Sequence, residues 1–239
     1  MLEAFGLSDR GCVRANNEDY FISDSESGIF ILADGMGGAN AGEYASHLSA
    51  EMLYEYLLNS ANSAGLEMLE QGFLEANWAV REAAKGNPEL TGMGTTMLVA
   101  RDLGEARLQI GSVGDSRAYL LSGGGLCLLT RDQTWVAEVG AARLGLSDEA
   151  LKKHPMRHVL TMAVGSTDDL RVSTCIVQMQ QGDVVLLCSD GLHGVVGENL
   201  LEEALESETT LAEKCHYLVE AAKSEGGPDN VTVVLIKLK

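Results

Sequence analysis

Proline is rare in this sequence, basic charge is short, and no apolar run is long. Three prolines in 239 residues, beside 46% hydrophobic residues, argue against disorder and for a folded globular chain. Lys and Arg number 17 against 35 Asp and Glu, a formal net charge of -18. A field of that sign opposes nucleic acid and anionic membrane surfaces, so neither is expected as a partner. Runs such as Val184–Cys188 are far too short to cross a bilayer. The opening MLEAFGLSDRG has no basic stretch leading into an apolar core and a small-residue cleavage site, so a secretion signal is not expected. The five cysteines are scattered and form no C-x-x-C, which fits a reduced, cytoplasmic protein.

Missing residues also exclude whole chemistries. A thiol phosphatase needs Arg six positions after its Cys, and Glu18, Gln133, Gln181, Gly194 and Ala221 stand there instead. Aspartyl-phosphate chemistry wants D-x-D after a strand, but Asp34 and Asp190 are each followed by Gly and then a non-acid. No G-x-S-x-G nucleophile elbow and no G-K-[ST] of a P-loop occur. The glycines of GMGGANAG lack dinucleotide-site spacing. His154 and His158 are four apart, as on a zinc helix, but Pro155 between them disfavours a regular helix. They read as loop residues, with zinc a minor alternative.

What is present reads as one domain over residues 1–239, without linker, repeat or low-complexity segment. Strands are expected at Leu2–Ser8, Tyr20–Asp24 and Ile29–Ala33, then a helix over Gly42–Leu58 with Ala45, Leu48, Met52 and Tyr56 on one face. A second helix over about Leu66–Ala84 has Leu69, Phe73, Ala76 and Val80 at steps of three and four, and Gly86-Asn87-Pro88 ends it. Strands return at Gly94–Arg101, Arg107–Val113, Arg117–Leu121 and Leu126–Leu129, separated by short turns. Residues Gln133–His158 lack a long apolar face and read as a surface excursion with a helix or two. Strands Val172–Gln178 and Val184–Cys188, helices Glu198–Leu205 and Leu211–Lys223, and a last strand Val231–Leu238 complete the chain. Turn-linked strands imply antiparallel sheets, and segregated helices imply an α+β fold.

Acidic residues sit at the ends of these strands. Asp34 closes the apolar run in IFILADGMGG, and Asp190 closes the one in VVLLCSDG. Asp229 precedes the last strand in GGPDNVT, Glu18 and Asp19 precede a strand in RANNEDYF, and Asp115 lies between two strands in VGDSR. Stiff carboxylates gathered at one place suit hard divalent cations such as Mg²⁺ and Mn²⁺, which want oxygen ligands. Gly35, Gly37 and Gly38 let the backbone approach an ion or ligand closely. A single Asp-Gly is commonly just a turn. The joint pattern favours a site.

The motifs VRANNEDYF, ADGMGGANAGEYAS, GMGTTM, GSVGDSRAYLL, LTRDQTWV, HPMRHVLTMAVG, CSDGLHGVV and GGPDNVTVV run in order over nearly the whole chain. In them the sequence resembles the metal-dependent Ser/Thr protein phosphatases, the type 2C or PPM family, in bacterial form. The resemblance implies a four-layer sandwich: two packed antiparallel β-sheets flanked by α-helices. It implies two core Mn²⁺ or Mg²⁺ ions, with Asp34 bridging them, Gly35 giving a carbonyl, and Asp190 and Asp229 completing one metal. Glu18 and Asp19 would stand in the inner or outer shell of the other. Asp115 with Asp190 matches a third, weaker metal site, and Arg14 matches the arginine that holds the substrate phosphate. The plainer role for Arg14 is an ion pair with Glu18 or Asp19. The segment at about 134–157 matches a variable flap. The implied activity is hydrolysis of phosphoserine and phosphothreonine on proteins by a monomer that opposes a bacterial Ser/Thr kinase.

The chain departs from the family at the proton donor. Met36 stands where eukaryotic relatives often carry His, and Ala39 where many bacterial relatives do. Gln133 replaces a frequent His and His158 a frequent Asn. A water or one of the flap residues His154 and His158 is left as the general acid. Ala39 is also the one feature that favours a second reading, a catalytically silent pseudophosphatase that binds phosphoproteins.

Overall fold

Alternation along single strands sets the layers of this molecule. A computed structural model describes residues 1–37, 41–60, 66–140, 151 and 154–239. Strand β3 (Ile29–Met36) turns Ile29, Ile31 and Ala33 into one core and Phe30 and Leu32 into another. A strand buried on both faces reads as an unbroken apolar run, and this one does.

The other strands are β1 (Leu2–Asp9), β2 (Asp19–Asp24), β4 (Gly94–Thr95), β5 (Met97–Asp102), β6 (Arg107–Val113), β7 (Arg117–Ser122), β8 (Gly125–Leu128), β9 (Ser173–Gln178), β10 (Val184–Cys188) and β11 (Val231–Leu238). One sheet runs β1-β11-β10-β7-β8, the other β2-β3-β5-β6-β9 with β4 on β3. Every strand pairing among the described residues is antiparallel. Between the sheets, Phe30, Leu32, Leu98 and Ile110 meet Ala118, Val185, Leu187 and Val234.

Helices α1 (Ala41–Asn59) and α2 (Glu67–Gly86) cover the outer face of the second sheet. Helices α3 (Asp190–His193), α4 (Glu198–Glu206) and α5 (Leu211–Ser224) cover the first. A capping box starts α5. Glu213 N–H donates to Thr210 Oγ1 at 3.2 Å, and Thr210 N–H donates to Glu213 Oε2 at 2.9 Å. The result is the expected α+β sandwich of four layers. No helix among the described residues is long and apolar enough to cross a membrane.

Three expectations need correction. The buried face of α1 is not the line Ala45, Leu48, Met52 and Tyr56. Its buried residues include Ala45, Ser46, Ser49, Ala50, Leu53 and Leu57, while Leu48, Met52 and Tyr56 are only partly covered. Helix α1 packs against both the sheet and α2, where small residues permit close approach; a Cβ on Gly72 of α2 would collide with Leu53. The single strand expected over Gly94–Arg101 is broken at Thr96, which turns to bond Asp34 instead. The short helix α3 after β10 was not foreseen. Of the excursion, the described part holds a short helical segment, Val136–Gly140, and residues 141–150 and 152–153 lie outside the described residues.

Candidate active site

Both sheets deliver carboxylates to the same edge of the sandwich. Asp19 begins β2 and Asp34 stands near the end of β3, and the two are register partners. Asp190 follows the end of β10 by two residues, as the first residue of α3. Asp229 comes just before the start of β11, and Asp115 lies in the turn from β6 to β7. A cleft of about 960 Å³ opens there, and Glu18, Asp34, Asp115, Asp190 and Asp229 line it together with Gly35 and Arg14. Asp19 is not on the lining. It sits behind it, 8% exposed.

Local bonding holds these positions. Asp34 N–H donates to Thr96 Oγ1 at 3.0 Å, and its carbonyl accepts from Thr96 N–H at 2.9 Å and from Thr95 Oγ1 at 2.8 Å. Gly35 N–H donates to the Glu18 carbonyl at 3.1 Å, and a Cβ on Gly35 would strike the Gly42 carbonyl at the start of α1. Gly191 is equally constrained, since its Cβ would strike the Asn230 carbonyl. Behind Asp34, Asp19 Oδ2 accepts from Thr232 Oγ1 at 2.6 Å and Ser189 Oγ at 2.9 Å, which ties the two sheets together.

The electrostatics are unfavourable for so many anions. Burial, and then Asp19, Asp190, Asp115 and Asp229, push the Asp34 carboxyl well above its usual range. Burial raises Asp115 to about 8, with Asp190 adding to it. Burial raises Asp19 to about 7 against its two hydroxyl donors. Asp190 is raised by burial and by Asp229, and is partly held down by His158 and by a side-chain hydrogen bond with Asp34. Carboxyls that share a proton in this way cannot all ionise without an opposing charge. Among the described residues, the arginines lining the cleft are Arg14 and Arg157. Arg14 Nη2 is already committed to Asp229 Oδ2 at 2.6 Å, not to Glu18 or Asp19.

These residues fit divalent cations. The donors are hard oxygens, and Asp19 Oδ1 is buried with no hydrogen-bond partner. Among the described residues no three such groups close around one point; they ring the cleft. The crowding of like charge is the stronger indication, because side chains of a ring can close on an ion that neutralises them.

Several working residues lie inside the quoted motifs but have no role assigned from the sequence. Asn230, 5% exposed, donates from Nδ2 to the carbonyls of Arg10 at 3.0 Å and Asn16 at 2.9 Å, and its Oδ1 accepts from Glu18 N–H at 2.8 Å. It fastens the loop that carries Arg14 and Glu18 onto β11. Ser189, Thr232 and Thr96 brace Asp19 and Asp34 from behind. Asn230→Ala should lower unfolding free energy by roughly 2–3 kcal/mol, since three part-buried hydrogen bonds are lost at once. Urea unfolding against the parent measures it, and a loss under 0.5 kcal/mol, the ordinary scatter of surface substitutions, would remove the clamp role.

The other singled-out residues separate clearly. His158 lines the cleft, with Nδ1 4.0 Å from Asp190 Oδ2. His154 instead stacks on Trp135, ring centroids 4.9 Å apart. Gln133 bonds Gly114 N–H at 2.8 Å and the Arg171 carbonyl at 2.9 Å, a bracing role. Met36 lines the cleft, and Ala39 lies outside the described residues. The two ends of the 134–157 segment are joined, with Trp135 N–H donating to the Val159 carbonyl at 2.8 Å.

A family model described as Protein phosphatase 2C matches residues 13–235. The serine/threonine phosphatase Stp of Listeria monocytogenes is 38% identical over 238 residues, 96% of this chain and 93% of the relative. The crystal structure of the Mycobacterium tuberculosis serine/threonine phosphatase PstP superposes with a TM-score of 0.90 at 37% identity, covering 100% of this chain and 99% of that one. A structure of the PstP catalytic domain in complex with two manganese ions matches with a TM-score of 0.86 at 36% identity, again over 100% and 99% of the two chains.

Proposed function

The chain belongs to the Protein phosphatase 2C family and is a metal-dependent serine/threonine protein phosphatase, and from that premise we propose how its own residues divide the work. The observation that carries the assignment is the meeting of Asp34, Asp190 and Asp229, drawn from both sheets, around one cleft. Asp34, the Gly35 carbonyl, Asp190 and Asp229 would hold two manganese or magnesium ions, as the manganese-bound relative suggests. Glu18 and Asp19 stand at the margin of that centre. Asp115 with Asp190 is the place for a third, weaker ion. Such ions, when bound, polarise the phosphoryl group and activate water near neutral pH.

The chain's residues supply the rest. Arg14 is half exposed at the cleft mouth and presents a planar fork suited to two phosphate oxygens. To bind phosphate, Arg14 would exchange its present partner Asp229 for the phosphate oxygens, leaving the Asp229 carboxylate free to hold a metal ion. His158 beside Asp190 is placed to give the leaving serine or threonine oxygen its proton. The ends of the 134–157 flap are pinned beside it. The substrates are phosphorylated proteins, and the opposing enzyme is a Ser/Thr kinase. We place the protein in the cytoplasm as a monomer; its five cysteines are free thiols, which suits a reducing compartment. The silent pseudophosphatase finds no support, since the carboxylate set is complete and the relatives are named as phosphatases.

Phosphate release from a phosphothreonine peptide, with Mn²⁺ titrated in and EDTA as control, tests this reading. Release should require the metal. Arg14→Ala should cut kcat/KM by roughly 10²-fold, mostly through KM, with Arg14→Lys recovering part of it. Metal-independent release, or an Arg14→Ala variant as good as the parent, would refute the respective role.

A further inference from the structure

A second cavity, of about 360 Å³, lies beside the catalytic cleft. Val195 lies on the walls of both. That cavity runs between α4 and α5, with Leu200, Tyr217 and Ala221 on its sides and Glu220 and Glu225 at its rim. Tyr217 on α5 is 50% exposed and lines this cavity. Glu220 is shared with Lys223 at 2.8 Å, whereas Glu225 carries no ion pair among the described residues.

We propose that this groove receives the stretch of a phosphoprotein next to its phosphorylated residue, with an apolar side chain against Tyr217 and Leu200 and a Lys or Arg against Glu225. The proposal rests on the phosphatase reading of the cleft. Two features support it. The first is adjacency: Val195 lines both cavities, so the residues that flank a phosphorylated residue held in the cleft reach the second one. The second is charge. Glu220 and Glu225 line the groove, and Glu225 has no ion pair among the described residues, so a cation beside the phosphate is favoured there. The groove has the size and the half-buried tyrosine of an anchor pocket for one or two side chains, not of a broad protein interface.

The test compares phosphothreonine peptides that differ only in their flanks: Ser and Gln throughout, or Leu and Arg set two to four residues before or after the phosphorylated position. Steady-state KM and kcat are measured with Mn²⁺ for the parent, Tyr217→Ala and Glu225→Lys, and a small aryl phosphate serves as the unflanked control. In the parent, one Leu-Arg arrangement should lower KM about tenfold against the neutral peptide. Tyr217→Ala should erase that gain, and Glu225→Lys should remove the part owed to Arg. Aryl phosphate turnover should stay at the parent level in both variants. Equal KM values for all flanks, or variants that keep the gain, would overturn the groove while leaving the phosphatase intact. No release from any substrate would overturn both readings. A concentration-dependent dimer that Tyr217→Ala dissolves, with peptide KM unchanged, would hand the groove to a second copy of the chain and overturn the proposal.

Discussion

Asp34→Asn should reduce metal-dependent phosphate release by at least about 10³-fold, beyond the 10–100-fold typical of residues that only support metal ligands. The same substitution should make the metal-free protein more stable. Asp34 is the carboxylate on which the others act; Asp19, Asp190, Asp115 and Asp229 all push its proton affinity up. Its backbone is held by Thr95 and Thr96, and Asn keeps that backbone and nearly the same shape. So the substitution replaces a carboxyl whose ionisation the cluster suppresses with a neutral amide, without opening a cavity. A residue kept for stability would lose both activity and melting temperature when changed. A residue kept for function, in a site that strains the fold, loses the first and gains the second. Turnover within tenfold of the parent would remove Asp34 from the metal centre. A lower metal-free melting temperature would make its carboxylate structural.

Much of this fold was legible because burial on two faces leaves continuous apolar runs. Ile29–Ala33, Val184–Cys188 and Val231–Leu238 show it directly, and the last two strands have the bounds expected of them. Helix α2 was legible because Leu69, Phe73, Ala76 and Val80 are large enough to mark its buried stripe. The face of α1 was not, because Ala45, Ser46, Ser49 and Ala50 carry little hydrophobic signal and are buried for their small size. In the site, aspartates at strand ends stood out against their apolar neighbours. Their supports did not. Ser189, Thr232 and Asn230 look like ordinary polar residues at strand ends, and their partners Asp19, Arg10 and Asn16 lie some 170 to 220 positions away. Arg14 shows the same limit. Local spacing offered Glu18 or Asp19, yet the chain brings Asp229 to it. Bonds that close only when two sheets pack leave no local pattern in the sequence.

Without metal, the protein should lose stability as pH rises from about 4 to about 8, and Mn²⁺ should abolish most of that loss. Burial raises Asp19 to about 7 and Asp115 to about 8, and it raises Asp34 in the same direction. In the unfolded chain these groups titrate near 3.9. Between the two limits the folded state binds more protons than the unfolded state, so unfolding free energy falls with rising pH. For Asp19 alone, a shift from 3.8 to about 7 corresponds to roughly 4 kcal/mol. Asp24 has the opposite sign, held down to about 2 by Tyr54 and Ser27, but it acts below this window. Manganese binds the ionised carboxylates, so its stabilisation grows as protons leave them. For a chain of this size, where each kcal/mol moves the midpoint by ~2–4 °C, the metal-free melting temperature should drop by about 10 °C between pH 5 and pH 8. The manganese-loaded curve should stay nearly level. The general charge of -18 also loosens the fold at high pH, but it acts with and without metal alike. The difference between the two curves therefore isolates the cleft. Asp34→Asn should narrow that difference, because one of the competing charges is gone. Parallel curves with and without Mn²⁺ would mean that the carboxylates neither repel one another nor bind the ion, and the metal centre drawn here would fall with them.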